Sequence, residues 1–146
     1  MNILPRSASC PTTVDLDKLK KEIKSKNLVG LCNNTKWDEL LTVFRANKWT
    51  VCNRSKWING FISGWESDWF YHLPFPFVGV EWFDIKFVKT IFIIRDGGRY
   101  VEETNLKDEI LNCLSDIGVE FEVTSDFVRV WGYAPKCYQE FHGKNT

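Results

Sequence analysis

The sequence predicts an α+β fold: a mostly antiparallel sheet of about five to seven strands, two N-terminal helices, and one helix before a C-terminal hairpin. Three observations predict it. Apolar residues recur at spacings of three and four in residues 13–47 and again in 105–118. Between them, β-branched and aromatic residues dominate and Gly and Pro punctuate the chain. After residue 118, two short β-type runs flank a TSD turn.

Each element has a local reason. Residues 1–12 read as a loose arm, with Pro5 and Pro11 and few apolar side chains. In TVDLDKLKKEIKSKN, Leu16, Leu19 and Ile23 form a narrow stripe among lysines, and Asp15 and Asp17 favour a helix start. In NNTKWDELLTVFRAN, Trp37, Leu40, Leu41 and Phe44 fall on one helical face, which places Trp37 in the core. Thr35 is the expected cap, with Asp38 three residues on. WTVCN and SKWINGF read as strands, and SGWESD as a turn region. WFYHL reads as a strand stopped by Pro74 and Pro76, because proline cannot donate to a ladder. GVEWFDIKF is the next strand. TIFII is apolar on both faces, which predicts a central strand covered on both sides. RDGGR supplies a tight turn into YVEE, and the phosphate-loop patterns GxxxxGK[ST] and GxGxxG are absent. In NLKDEILNCLSDIG, Leu106, Ile110, Leu114 and Ile117 make a stripe, Asn105 is the expected cap and Gly118 the stop. Residues 134–146 read as a polar tail containing His142.

A chain of 146 residues suits a single domain with a core of its own. Seven Trp suggest that large rings build that core. Five Cys at wide spacings, with no CxxC pair, predict reduced thiols and exclude a zinc ribbon. MNILPRSASC lacks the apolar run of a secretory signal, and no apolar run is long enough to span a membrane. The expectation is a cytoplasmic protein with no cofactor, no metal and no membrane partner. Formal net charge is zero, but residues 1–60 carry eleven Lys and Arg against five acids, and residues 61–146 carry eight against fourteen. Such a polar molecule suits a charged partner, although mixing of the halves in the fold would erase the effect.

GWESDWFYH mixes aromatic rings with ionisable groups, and Glu66, Asp68, His72, Glu81 and Asp84 are the candidates for a chemical site. On a strand, Asp68 and His72 would lie roughly 13 Å apart on one face, so they would form no dyad. His72 would instead take a carboxylate from EWFD as its partner, which would favour the imidazolium. Lys precedes Trp at 36–37, 48–49 and 56–57, a pattern that can track a phosphate backbone while rings stack on bases. Trp37 belongs to the core, however, and on strands Lys and Trp point to opposite faces, so nucleic-acid binding is disfavoured. Phe75 and Phe77 around Pro76 either dock on the core or mark a contact surface.

The residues from Trp65 to His72, Glu81 to Ile85 and Arg129 to Tyr133 resemble a family of small bacterial proteins of unknown function. Its pattern has a KW-containing helix, here Lys36-Trp37, and a W-[DE]-x-x-W-FYH-like strand. An E-W-[LF]-[DE]-I strand follows, then a helix ending I-G-[VI], here Ile117 to Val119, and a closing R-V-W-G-Y. The resemblance covers about residues 34–134 and makes the N-terminal helix an addition. It implies a coherent fold and carries over no activity and no catalytic residue.

The function expected is therefore a non-enzymatic protein-binding protein, most concretely an immunity protein that neutralises a toxin domain encoded nearby. Its expected contact surface is Glu102, Glu103, Asp108, Glu109 and Asp116, whose charge would steer a basic partner. The alternatives are a small hydrolase or transferase using His72 with a carboxylate, and a nucleic-acid-binding module.

Overall fold

The computed structural model describes residues 4–142 and contains, among them, three α-helices and eight strands in antiparallel sheets. The helices are α1 (Leu16–Ser25), α2 (Asn34–Ala46) and α3 (Lys107–Ile117). The strands are β1 (Val29–Gly30), β2 (Asn53–Trp57), β3 (Val80–Lys86), β4 (Val88–Arg95), β5 (Gly98–Asn105), β6 (Phe121–Val123), β7 (Phe127–Trp131) and β8 (Tyr133–Ala134). A four-stranded sheet of order β2-β3-β7-β6 forms the centre, β1 pairs β8, and β4 pairs β5 alone.

Helices α2 and α3 cover one face of the central sheet. Trp37, Leu40, Leu41 and Phe44 of α2 are all buried, against Phe83, Ile85, Val128 and Val130 of the sheet and Ile110 and Leu114 of α3. Each fully buried side chain of this size contributes about 1.5–3 kcal/mol. Trp37 meets Phe77 at 5.0 Å and Phe83 at 6.1 Å between ring centroids. The stripe on α1 packs separately, Leu19 with Ile58 and Tyr133. Asp15 caps α1 by accepting from the Lys18 amide at 3.1 Å.

Several expectations change. The cap of α2 is Asn33, whose Oδ1 accepts from the Lys36 amide at 2.9 Å, and Thr35 lies inside the helix. Asp38 serves the arm instead: it accepts from the Ser7 amide at 2.7 Å, and Ser7 is fully buried. Within the segment read as a loose arm, Ser7 is thus docked, and its carbonyl accepts from the Phe77 amide; residues 1–3 lie outside the described residues. The cap position of α3 is Leu106, which makes no side-chain cap bond; Asn105, one residue earlier, accepts from the Lys107 amide, and Gly118 ends the helix at φ 86°. Phe75 and Phe77 are buried.

The largest departure is TIFII. It forms β4, whose only ladder partner among the described residues is β5, in a ribbon with most side chains exposed on both faces. The central, covered strand is β3, flanked by β2 and β7. A run that is apolar on both faces needs cover, but its sequence does not say whether the same chain supplies it.

WFYHL is not a strand. Residues 69–73 form bends. The free edge of β2 is met instead by isolated bridges from Ile62 and Glu66. The Asp68 carboxylate accepts from the amides of Phe70, Tyr71 and His72, at 3.3, 2.8 and 2.6 Å, and so diverts three backbone donors from any ladder. Arg45 of α2 takes the carbonyls of Trp69 and Phe70. Trp69 stacks on Phe44 at 4.4 Å and donates its Nε1–H to the Val51 carbonyl.

Candidate functional site

The five residues of the suspected chemical site are divided among four tasks. Asp84 pairs with Arg129 and Arg54 across β3, β7 and β2, at register positions directly opposite one another. Arg129 donates from Nε to Oδ1 at 2.7 Å and from Nη2 to Oδ2 at 2.9 Å, and Arg54 Nε donates to Oδ2 at 2.9 Å. Burial pushes the Asp84 carboxyl up, while the charged hydrogen bonds from Arg129 and Arg54 oppose that rise. The Arg129 guanidinium also lies 3.6 Å from the Trp82 ring centroid. Arg54 lies 4.5 Å from the Trp65 centroid.

Residues 137–141 lie over this charged layer. Arg129 Nη1 donates to the carbonyls of Cys137 and Gln139, and Phe141 packs on Phe127, Trp131 and Tyr138. The segment read as a polar tail is therefore, over these residues, a strap that closes the second face of the sheet; residues 143–146 lie outside the described residues. The indole N–H groups of Trp82 and Trp131 have no hydrogen-bond partner among the described residues. Stacking of the guanidinium on Trp82 offsets part of that cost. Sealed in this way, Asp84 is inaccessible to a substrate.

Glu81 faces Lys56 at 3.7 Å. Neither Glu81 nor Asp84 pairs with His72, so the expected His72 partnership with the EWFD strand does not form. Asp68 is close to His72 in the chain and in space, through the His72 backbone amide. The 13 Å separation expected on a strand is overturned by the bend. Burial raises the Asp68 carboxyl, but the three amide donors outweigh it and hold its pKa below the usual carboxylate value. Such a group stabilises the fold fully above its unfolded pKa and loses that contribution as pH falls through the lower folded value. Asp68→Ala should therefore cost about 1 kcal/mol at neutral pH, and the cost should shrink as pH falls below about 4. Urea denaturation of both proteins at neutral and acid pH checks this; a difference that does not change with pH would reject it.

Glu66 and His72 do share a surface pocket of about 660 Å³, together with Asn53, Ser55, Trp57 and Phe75. Glu66 is held there by two backbone bonds to Asn53, at 2.7 and 2.8 Å. His72 is exposed, and no carboxylate bonds its imidazole among the described residues. The pocket therefore has polar groups and apolar walls but no oriented base. His142 lies in the final described residues without regular structure. The five Cys are free, burial pushes the Cys32 thiol up to about 12 and the Cys113 thiol to about 11, and no cluster of metal-binding side chains occurs among the described residues. No helix among them is long and apolar enough to cross a membrane.

The ribbon is the other candidate surface. Phe92 and Ile94 are each 79% exposed and Val101 60%. Strand alternation and the β4–β5 register place all three on one face, with Arg99 and Glu103 beside them. Glu102 is on the opposite face with Ile91 and Tyr100. Asp108 and Glu109 are exposed in the first turn of α3, and Asp116 near its other end, roughly 12 Å further along the axis. The five acids chosen from sequence are thus all at the surface but do not form one patch. Sequence reasoning missed Phe92, Ile94 and Val101, although the apolar run that contains them was visible.

Fold and site together define an α+β protein with a sealed ionic layer and a projecting apolar ribbon. The chain belongs to a family of unknown function, DUF6678, whose model matches residues 19–137. The match begins inside α1, so most of that helix is part of the family's own region and not an addition to it. No curated protein and no solved structure matches the chain.

Proposed function

We propose that this chain is a non-enzymatic protein-binding protein that uses the β4–β5 ribbon as its contact surface, and that it acts as an immunity protein neutralising a toxin domain. The observation that carries the reading is the exposed face of Phe92, Ile94 and Val101. Apolar side chains left in water on a two-stranded ribbon are stabilised by burial against a partner. An inhibitor of this type needs no chemistry of its own. It needs an apolar centre for affinity and charges around it for fast, selective encounter. Glu103 beside the apolar face, Glu102 behind it, and Asp108 and Glu109 on α3 supply negative charge suited to a basic partner. Asp116, at the far end of α3, contributes only to the longer-range field.

Co-expression with the product of the adjacent upstream gene tests the reading. The chain should restore growth and co-purify with that product. Phe92→Ser with Ile94→Ser should weaken binding at least about tenfold, as expected for the centre of an interface. Glu102→Lys should mainly slow association. Absence of both rescue and co-purification overturns the function, and unchanged affinity in the Phe92/Ile94 variant overturns the surface.

A further inference from the structure

We infer that the free edge of β5 pairs with β5 of a second copy of this chain, antiparallel and centred on Val101. This goes beyond the toxin-binding reading and does not rest on it. Asp96 and Gly97 have φ of 52° and 76° and join Arg95 to Gly98. A two-residue turn with both central residues at positive φ is a type I′ hairpin, whose flanking pair exchanges both backbone hydrogen bonds. Hydrogen-bonded pairs then alternate along the ribbon, at Ile93–Tyr100, Ile91–Glu102 and Lys89–Thr104. The N–H and C=O groups of Arg99, Val101 and Glu103 consequently point away from β4. No other described strand pairs with that edge. A row of unpaired donors and acceptors on an exposed strand is a template for another strand.

Charge selects the occupant and the register. With Val101 opposite Val101 about a two-fold axis, Arg99 of each copy lies opposite Glu103 of the other. Two opposite-charge pairs thus flank an apolar centre, all on the face that carries Phe92 and Ile94. Centring on Glu102 or Glu103 sets like charges opposite one another, and centring on Tyr100 leaves Arg99 opposite Val101. The edge of β4 has no such solution, because its only charged side chains are the cations Lys89 and Arg95. The product is a four-stranded sheet of order β4-β5-β5-β4. It satisfies the edge and joins the apolar faces of two copies into one surface. The edge is then used by the second copy, and the face remains open to a partner.

The test uses the full chain alone, so its failure is separate from any failure of toxin binding. Sedimentation equilibrium should show reversible association to twice the chain mass. Arg99→Glu and Glu103→Arg, each alone, should raise the dissociation constant at least about tenfold, because two attractive pairs become two repulsive ones. An equimolar mixture of the two variants should restore association, since the two acidic side chains of the first then face the two basic side chains of the second. The double variant should also associate as the unmodified chain does, because exchanging both charges keeps each pair attractive. A chain that stays monomeric up to about 1 mM, where even weak specific pairing is populated, overturns the inference. So does a dimer indifferent to the single charge changes, or one that the mixture fails to restore. Both positions are exposed, and an unchanged unfolding transition confirms that the variants remain folded.

Discussion

Asp84→Ala should lower the free energy of unfolding by about 3–5 kcal/mol, the cost of leaving a buried charge without its partner. Asp84 and Arg129 are both fully buried, and three of the bonds to the Asp84 carboxylate come from guanidinium nitrogens. Removing the carboxylate strands Arg129 between Trp82, Phe141 and the strap carbonyls, with Arg54 also losing its counter-charge. The stacked rings do not replace an anion. The loss should appear as a lower urea midpoint with little change in slope, if the native surface is retained. Replacing Asp84 by Leu and Arg129 by Met together should cost less than Asp84→Ala, because the fully buried Arg129 is then not left without a counter-ion and Arg54 keeps the Glu140 carboxylate at 3.9 Å. A single substitution at Asp84 that costs under about 1 kcal/mol, the value of an exposed pair, would show that the layer is solvated in solution.

Gly132→Ala should cost about 3 kcal/mol or more, at the upper end of the penalty for overpacking. A Cβ at this position would sit 2.1 Å from the Val80 carbonyl oxygen and 3.1 Å from that of Glu81. The obstacle is backbone, not a side chain that can turn away. It belongs to β3, which is tied on one side to β2 and on the other to β7. The Gly132 amide donates to the Glu81 carbonyl at 2.9 Å, so separation of the strands also loses that bond. Gly97→Ala is the control. Its Cβ meets nothing within 4 Å, and only the strain of φ 76° opposes it, about 1 kcal/mol. Thermal or urea unfolding should rank the two variants in that order; equal costs would rule out the close approach as the cause.

The two substitutions fall in the motifs that carry the family resemblance. EWFDI supplies Trp82 and Asp84, and RVWGY supplies Arg129, Trp131, Gly132 and Tyr133. The Tyr133 hydroxyl donates to the Val78 carbonyl. Of these two motifs, EWFDI reads from sequence as a place for chemistry because it combines rings with the carboxylates Glu81 and Asp84. Their partners show a structural layer: each charged group is neutralised and the strap excludes solvent. The same holds for GWESDWFYH. Trp69 fills the core, Asp68 holds a bend, and Glu66 and His72 reach a pocket without an oriented base.

What sequence alone determined is local and periodic. The three helices follow from stripes at 3.6-residue spacing, and the RDGGR hairpin follows from residues that tolerate positive φ. Both depend on neighbours within a few positions. The α+β class and the burial of Trp37 follow in the same way. Tertiary structure alone decided which apolar strand is central and which projects. VEWFDIK and VKTIFII are both strand-like and largely apolar, and their difference lies in neighbours far along the chain: β2 and β7 claim both edges of β3, while β4 finds only β5. Long-range pairing also decided that Asp84 meets Arg54 and Arg129 instead of His72. A side chain's propensity travels with its sequence; its burial and its counter-ion depend on which distant segment arrives beside it.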